Sequence, residues 1–236
     1  MDKRTKEDFL EGQLLLIDKP VGWSSFQAVN KLKWAIRKKF DLKKIKIGHA
    51  GTLDPLATGL LLICTGKFTK KINELQGQIK EYTGTISLGA TTPSYDLETE
   101  VDNTFPFDHI SESLIRQATA TFIGEIEQQP PIFSALKKDG KRLYEYAREG
   151  KTVEIKKRKV SVSVFEITRI KLPEVQFRIL CSKGTYIRSL AYDFGIALES
   201  GAHLSDLRRT KIGDYNVDKA LDPIVFAEHL LGKATD

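Results

Sequence analysis

Cysteine is nearly absent: Cys64 and Cys181 are the only two in 236 residues, far apart and each in an apolar run. No disulfide framework and no C-x-x-C zinc site can be built from them, and both read as buried, reduced thiols. Histidine is just as sparse, and His49, His109, His203 and His229 are scattered, so no metal centre is expected. Neither G-x-G-x-x-G nor G-x-x-x-x-G-K-[ST] occurs, which argues against a nucleotide cofactor. No G-x-S-x-G elbow occurs either, and Cys64 has the neighbours of a strand residue, so a serine or cysteine triad is unsupported. No apolar run approaches the ~20 residues a membrane helix needs. The charged start lacks the apolar core and cleavage site of a secretory signal. The expectation is a cytoplasmic protein. Repeats, low-complexity linkers and composition breaks are also missing, which predicts a flexible tail over 1–11 and a single domain over 12–236.

What is present is charge, with a core to carry it. Thirty-seven basic and 31 acidic residues give +6 and a pI near 9.1, favouring a polyanionic partner, while 41% hydrophobic residues can fill a core. Leu14 to Ile17 reads as a buried strand stopped by the turn at 18–22. Ser24 or Ser25 can cap a helix carrying Val29, Leu32 and Ile36 inward and Lys31, Lys33, Arg37, Lys38 and Lys39 outward. Leu60 to Cys64 is a second buried strand, and alternation predicts strands around Tyr82, over 160–167 and over 175–181. Helices are expected at 111–123, stopped by Gly124, at 142–149, and over 185–199. In the last, Ile187, Leu190, Ala191, Phe194 and Leu198 share one face. Asp139-Gly140 marks a tight turn. The pattern implies an α+β fold.

Two features could carry chemistry. Residues 48–60 hold three glycines and one proline, and Asp54 sits among them directly before Pro55, which keeps its backbone out of the helical region. A carboxylate on such a stiffened loop suits a nucleophile, a general base or a metal ligand, the last disfavoured by the scattered histidines, though Asp-Pro also opens ordinary turns, and local sequence alone favours the turn. The second feature is basic density. Residues 31–46 hold eight Lys or Arg against one Asp, with Trp34 and Phe40 among them; residues 151–159 hold five against one Glu, just after Tyr144 and Tyr146. Such stretches suit a phosphate backbone with stacking, and equally a solvated face with its aromatics turned inward.

In combination the motifs become specific. The loop Gly48-His49-Ala50-Gly51-Thr52-Leu53-Asp54-Pro55-Leu56-Ala57-Thr58-Gly59 resembles the catalytic loop of the TruB family of tRNA pseudouridine synthases. Further blocks follow in that family's order: Leu16-Ile17-Asp18-Lys19-Pro20, Lys80-Glu81-Tyr82, Pro130 to Lys137 continuing through 144–150, Cys181 to Arg188, and 201–204 with Leu207-Arg208-Arg209. The match spans about 12–215 and reverses the turn reading of Asp54.

This resemblance implies the pseudouridine-synthase fold: a mixed, mainly antiparallel sheet with flanking helices around a catalytic cleft. It implies isomerisation of the T-arm loop uridine of tRNA, position 55, after the base is flipped out, with no cofactor. Asp54 matches the catalytic aspartate at the ribose, attacking or deprotonating it. Arg188 matches the arginine that pairs with it, and Tyr82 the tyrosine that stacks on the base. His49 would occupy the space the nucleotide vacates, Tyr186 and Leu207 would grip the uracil, Lys19 and Pro20 would support the loop, and Asp96 would take a family aspartate's place in contacting the substrate. Many relatives carry a further RNA-binding module of the PUA type, whereas only about 20 residues follow Tyr215 here. The partner set implied is tRNA alone, bound by a monomer without metal, membrane or guide RNA. Two competitors remain at this point: a non-enzymatic RNA-binding protein or tRNA chaperone, and the catalytic subunit of a guide-RNA particle like the dyskerin branch.

Overall fold

The computed structural model describes residues 3–232. Its contacts gather into two compact units: a split unit, Met1–Tyr82 with Arg208–Asp236, and an inserted unit, Thr83–Leu207.

In chain order the split unit opens with α1 (Lys6–Glu11), β1 (Leu14–Lys19), α2 (Ser25–Phe40), β2 (Ile47–His49), β3 (Thr58–Thr65) and α3 (Ile72–Gly77). Strand β4 (Lys80–Leu88) leads into the inserted unit, which holds β5 (Ala90–Thr91), β6 (Asn103–Thr104), α4 (Glu112–Ala120), β7 (Gly124–Gln128), β8 (Lys137–Lys138) and β9 (Lys141–Arg142). It continues with α5 (Leu143–Arg148), β10 (Arg158–Lys171), β11 (Glu174–Cys181) and α6 (Ile187–Ala197). Strand β12 (Ala202–Ile212) returns to the split unit, followed by β13 (Tyr215–Asn216) and α7 (Pro223–Leu231).

Residues 1–11 were expected to be a flexible tail, but Lys6–Glu11 is helical. Thr5 and Asp8 form a reciprocal capping box, satisfying backbone donors that would otherwise fray the first turn, and Phe9 is fully buried against the core. The helix predicted at 111–123 is shorter: Ser111 rather than Ser113 caps it, it ends at Ala120, and Gly124 opens β7 at φ 104°. Asp139 and Gly140 both take positive φ, as the two-residue turn between β8 and β9 requires.

In the split unit β3 is the central strand, with β1 and β2 antiparallel to it and β12 parallel, Arg208 facing Thr58 and Arg209 facing Gly59. Its apolar run is continuous because both faces are covered. Leu61 and Ile63 join α2 and α7 in one core with Leu15, Ile17, Leu32, Ile36 and Phe226. Leu60, Leu62 and Cys64 face a second core with Ala50, Leu75 and Ile212. Each fully buried Leu or Ile here is worth ~1.5–3 kcal/mol. Burial also pushes the Cys64 thiol up to about 11, so it stays protonated and inert.

In the inserted unit the strand order is β4-β11-β10-β7, with β10 antiparallel to both neighbours. Phe165, Phe177, Phe194 and Phe122 meet edge-on or tilted, joining the sheet to α6. Strand β4 alternates as expected, with Tyr82, Ile86 and Leu88 on the buried parity. The fold is α+β, with a mixed, mostly antiparallel sheet. Among the described residues no helix is long and apolar enough to cross a membrane.

Candidate active site

Asp54 lies half-buried in the loop joining β2 to β3, in the split unit. The loop has little regular structure of its own, so its backbone polar groups must find partners elsewhere. They find side chains. Ser25, first residue of α2, accepts from Leu53 N at 2.8 Å and donates to Leu53 O at 3.0 Å. The Asp54 carbonyl accepts from Ala57 N at 3.2 Å, closing a turn, and Gly22 N donates to Pro55 O at 2.8 Å.

Two buried cations complete the scaffold. The Lys19 side chain is fully buried at the end of β1, and its Nζ donates to the carbonyls of Trp23 at 2.6 Å, Pro20 at 2.9 Å and Pro55 at 3.3 Å. Three ammonium protons thus meet three carbonyls, tying the 20–23 turn to the residue after Asp54. Burial pulls this lysine down to about 8; Asp54 and Asp18 favour its charge and Arg209 opposes it. Arg209 on β12 is 1% exposed and donates from Nε to Leu60 O at 2.7 Å, from Nη2 to Gly51 O at 3.1 Å and from Nη1 to Thr52 O at 3.4 Å. One guanidinium therefore grips both ends of the loop. Gly59 makes that approach possible: its φ is 103°, and a Cβ there would strike the Arg209 backbone. The neighbouring Arg208 clasps Asp18 bidentately at 2.6 and 3.0 Å, fixing the strand just before Lys19.

His49 ends β2 half-buried, with its Nδ1 buried and unpartnered among the described residues. Burial, with Arg209 nearby, holds its pKa below 6.5, so the ring is neutral at pH 7. Tyr82 is 8% exposed on β4. Lys80, on the same parity, donates to the carbonyls of Gln76 and Gln78 at 2.5 Å each, pinning the entry to that strand. The split unit thus holds Lys19, His49, Asp54 and Tyr82.

The inserted unit holds Tyr186, Arg188, Asp96 and Leu207. Arg188, in the first turn of α6, is 3% exposed, donates to Phe133 O at 2.9 Å and Ser94 O at 3.1 Å, and pairs with the Asp96 carboxylate at 3.5 Å. Asp96, expected to contact substrate, has its carboxylate on this arginine and on the Glu98 amide at 3.0 Å. Leu207 is buried on β12. Tyr186 is bracketed by buried Gln128, whose amide accepts from Tyr186 N at 2.7 Å and donates to Tyr186 O at 2.9 Å. The Arg158 guanidinium lies 4.6 Å from its ring centroid.

Sequence reasoning gave Arg209 and Gln128 no role of their own, offered Ser25 only as a helix cap, and counted Arg158 only within the basic stretch 151–159. The alternation of Leu207 and Arg209 along β12 is the signal that could have pointed to Arg209 as an inward residue.

Comparisons with known proteins agree with this scaffold. Among solved structures, the fold matches a chain of a Cbf5-Nop10-Gar1 complex with a TM-score of 0.68 and 33% identity, covering 93% of this chain and 54% of that one. It also matches a chain of an archaeal box H/ACA sRNP Nop10-Cbf5 complex with a TM-score of 0.65 and 28% identity, covering 96% of this chain and 57% of that one. This chain thus spans about half the length of those solved chains. The class these neighbours define is the pseudouridine-synthase fold. Residues 37–187 match the profile of the TruB family pseudouridylate synthase N-terminal domain, and residues 188–230 that of the tRNA pseudouridylate synthase B C-terminal domain. The tRNA pseudouridine synthase B of Flavobacterium johnsoniae is 70% identical over 227 residues, 96% of this chain and 99% of that protein. Its counterpart in Bacteroides fragilis is 52% identical over 221 residues, 94% of this chain and 95% of that protein. The chain belongs to the TruB family of pseudouridylate synthases, a family of isomerases.

Proposed function

We propose that this chain isomerises uridine 55 in the T-arm loop of tRNA to pseudouridine, as a stand-alone cytoplasmic enzyme with no guide RNA. The observation that carries the reading is the caging of the Asp54 loop by Ser25, Lys19 and Arg209, which holds a carboxylate at a fixed place on a backbone with almost no regular structure. An RNA-binding protein or chaperone needs no such immobilised acid.

The chemistry is a rearrangement. The N1–C1′ bond breaks, a C5–C1′ bond forms, the C5 proton leaves and N1 gains one, so nothing is oxidised and no group is transferred. The target base must first leave its stack, costing a few kcal/mol that binding must offset. In this reading Asp54 acts at the ribose, Arg188 is the guanidinium partner that orients it, and Tyr82 stacks on the uracil. Tyr186 and Leu207 hold the uracil's polar and apolar edges, and neutral His49 fills the place the nucleotide leaves. Lys19 supports the loop, and Asp96 acts by orienting Arg188.

The test is tritium release from an unmodified tRNA transcript labelled at uridine C5. Release without added guide RNA by the native chain, abolished in Asp54→Asn, supports the reading. Tight tRNA binding with no release would leave only the chaperone, and release that requires a guide would place the chain in an RNA-guided particle.

A further inference from the structure

Helix α2 has a second face. Val29, Leu32, Ala35 and Ile36 enter the core, while Phe26, Asn30, Trp34 and Lys38 lie on the outer side, where Phe26 is 69% and Trp34 47% exposed. Several surface lysines elsewhere have carboxylate partners, as Lys67 has Glu11, Lys71 has Glu74 and Lys159 has Glu125. The lysines of residues 31–46 form no ion pair among the described residues, and Asp41 is the only acid in that stretch. Two of them are gathered by an aromatic ring: Lys31 Nζ lies 5.2 Å and Lys38 Nζ 5.1 Å from the Trp34 indole centroid. A cation–π pair of this kind holds two long side chains together without neutralising them.

The helix is also tied to the proposed chemistry. Ser25, its first residue, makes both hydrogen bonds to Leu53, the residue before Asp54. At ~1.5 Å per residue, Lys31 lies ~9 Å and Lys38 ~20 Å along the axis from that clamp. An unneutralised basic stripe thus runs outward from the Asp54 loop.

We propose that this outer face of α2 binds the phosphate backbone of the tRNA, with Lys31 and Lys38 as its phosphate contacts and Trp34 as the platform that positions them. The proposal rests on tRNA being the substrate. Phosphodiester contacts made by lysines release counterions, so they set the salt dependence of binding rather than its sequence preference. They belong to KM and not to the bond-making step.

The experiment measures equilibrium binding of unmodified tRNA against salt concentration, beside tritium release, for the native chain, Lys31→Gln/Lys38→Gln, Lys31→Arg/Lys38→Arg, Trp34→Leu and the control Lys67→Gln. Removing two phosphate contacts is expected to lower the slope of log K against log salt by about 1.4–1.8 and to weaken binding about tenfold near 0.15 M salt, with kcat at saturation unchanged. The arginine pair should restore the slope, Trp34→Leu should weaken binding several-fold, and Lys67→Gln should change nothing. An unchanged slope in the double glutamine variant overturns the proposal. So does an equal loss in Lys67→Gln, which would make the effect one of net charge. Binding of anionic phosphatidylglycerol vesicles through these lysines, with tRNA affinity intact, would assign the face to a membrane instead. Because binding is read independently of turnover, a chain that binds as described but releases no tritium would refute the isomerase reading and leave this one standing.

Discussion

Replacing Arg209 with lysine tests whether the Asp54 loop is held mainly from β12. Lysine keeps the charge but has one compact head group, so it can satisfy Leu60 O and must abandon the carbonyls of Gly51 and Thr52. Each hydrogen bond to a charged donor contributes ~1.5–3 kcal/mol. The Thr52 contact, at 3.4 Å, is weak and Thr52 is exposed, so the expected loss is ~2–4 kcal/mol, mostly from Gly51 O. For a chain of this size that lowers Tm by about 4–16 °C. The larger signature is kinetic. The loop keeps its Ser25 and Lys19 anchors but gains freedom at the 51–52 end, and a displacement of ~1 Å at a reacting group can cost ~100-fold. Tritium release under saturating tRNA should therefore fall by one to two orders of magnitude while tRNA affinity stays within about threefold. A variant with kcat within twofold of the native chain and an unshifted Tm would refute the argument, since the guanidinium would then be dispensable to loop geometry.

Other outcomes follow from the same geometry. Lys19, lowered to about 8, is charged at pH 7, and its burial opposes that charge below pH 8; the native state sheds its proton first, so stability measured by urea denaturation should gain a contribution as pH rises from about 8 to 10.5. Activity should fall over the same range as the Pro55 tether loses a donor, and Lys19→Arg should move that limb upward. Asp193 is pushed up to about 6 by burial, with Lys157 only partly opposing this, so the folded state holds its proton longer than the unfolded chain and stability declines from about pH 4 to 6. Asp193→Asn should abolish that decline, leaving a stability gain at pH 7 that vanishes below pH 4. Gly59→Ala should destabilise by ~1–3 kcal/mol or more, because its φ is left-handed and the new Cβ meets the Arg209 backbone; a neutral effect in thermal denaturation would contradict the tight β3–β12 pairing.

Much of the fold was legible because it follows local rules. The α2 cap, the short apolar run of β3, the period of α6 and the Asp139-Gly140 turn are each decided by residues within a few positions of one another. Strand β12 was not, because Ser205, Asp206, Arg208 and Lys211 hide its alternation and pairing on both sides makes it a strand. Helix α1 was missed because one buried phenylalanine and a cap suffice to order six otherwise charged residues. At the candidate site, Asp54 emerged only from the motifs together. The supports around it are distant in sequence, Ser25 lying 28 residues from its partner Leu53, Lys19 36 from Pro55 and Arg209 149 from Leu60, and a fully buried Lys or Arg contradicts what composition predicts for those residue types.

Inserting Thr83–Leu207 between the two segments of the split unit has a consequence for the order of assembly. Arg209 leaves the ribosome 149 residues after Leu60, a delay on the order of ten seconds at ordinary elongation rates. Until then the loop bearing Asp54 lacks its deepest anchor, so a nascent chain carries the proposed reactive carboxylate without the means to aim it. Competence arrives in one step, only after the whole inserted unit has been made, and a chain stopped before it has no fixed centre to expose to the RNA around it.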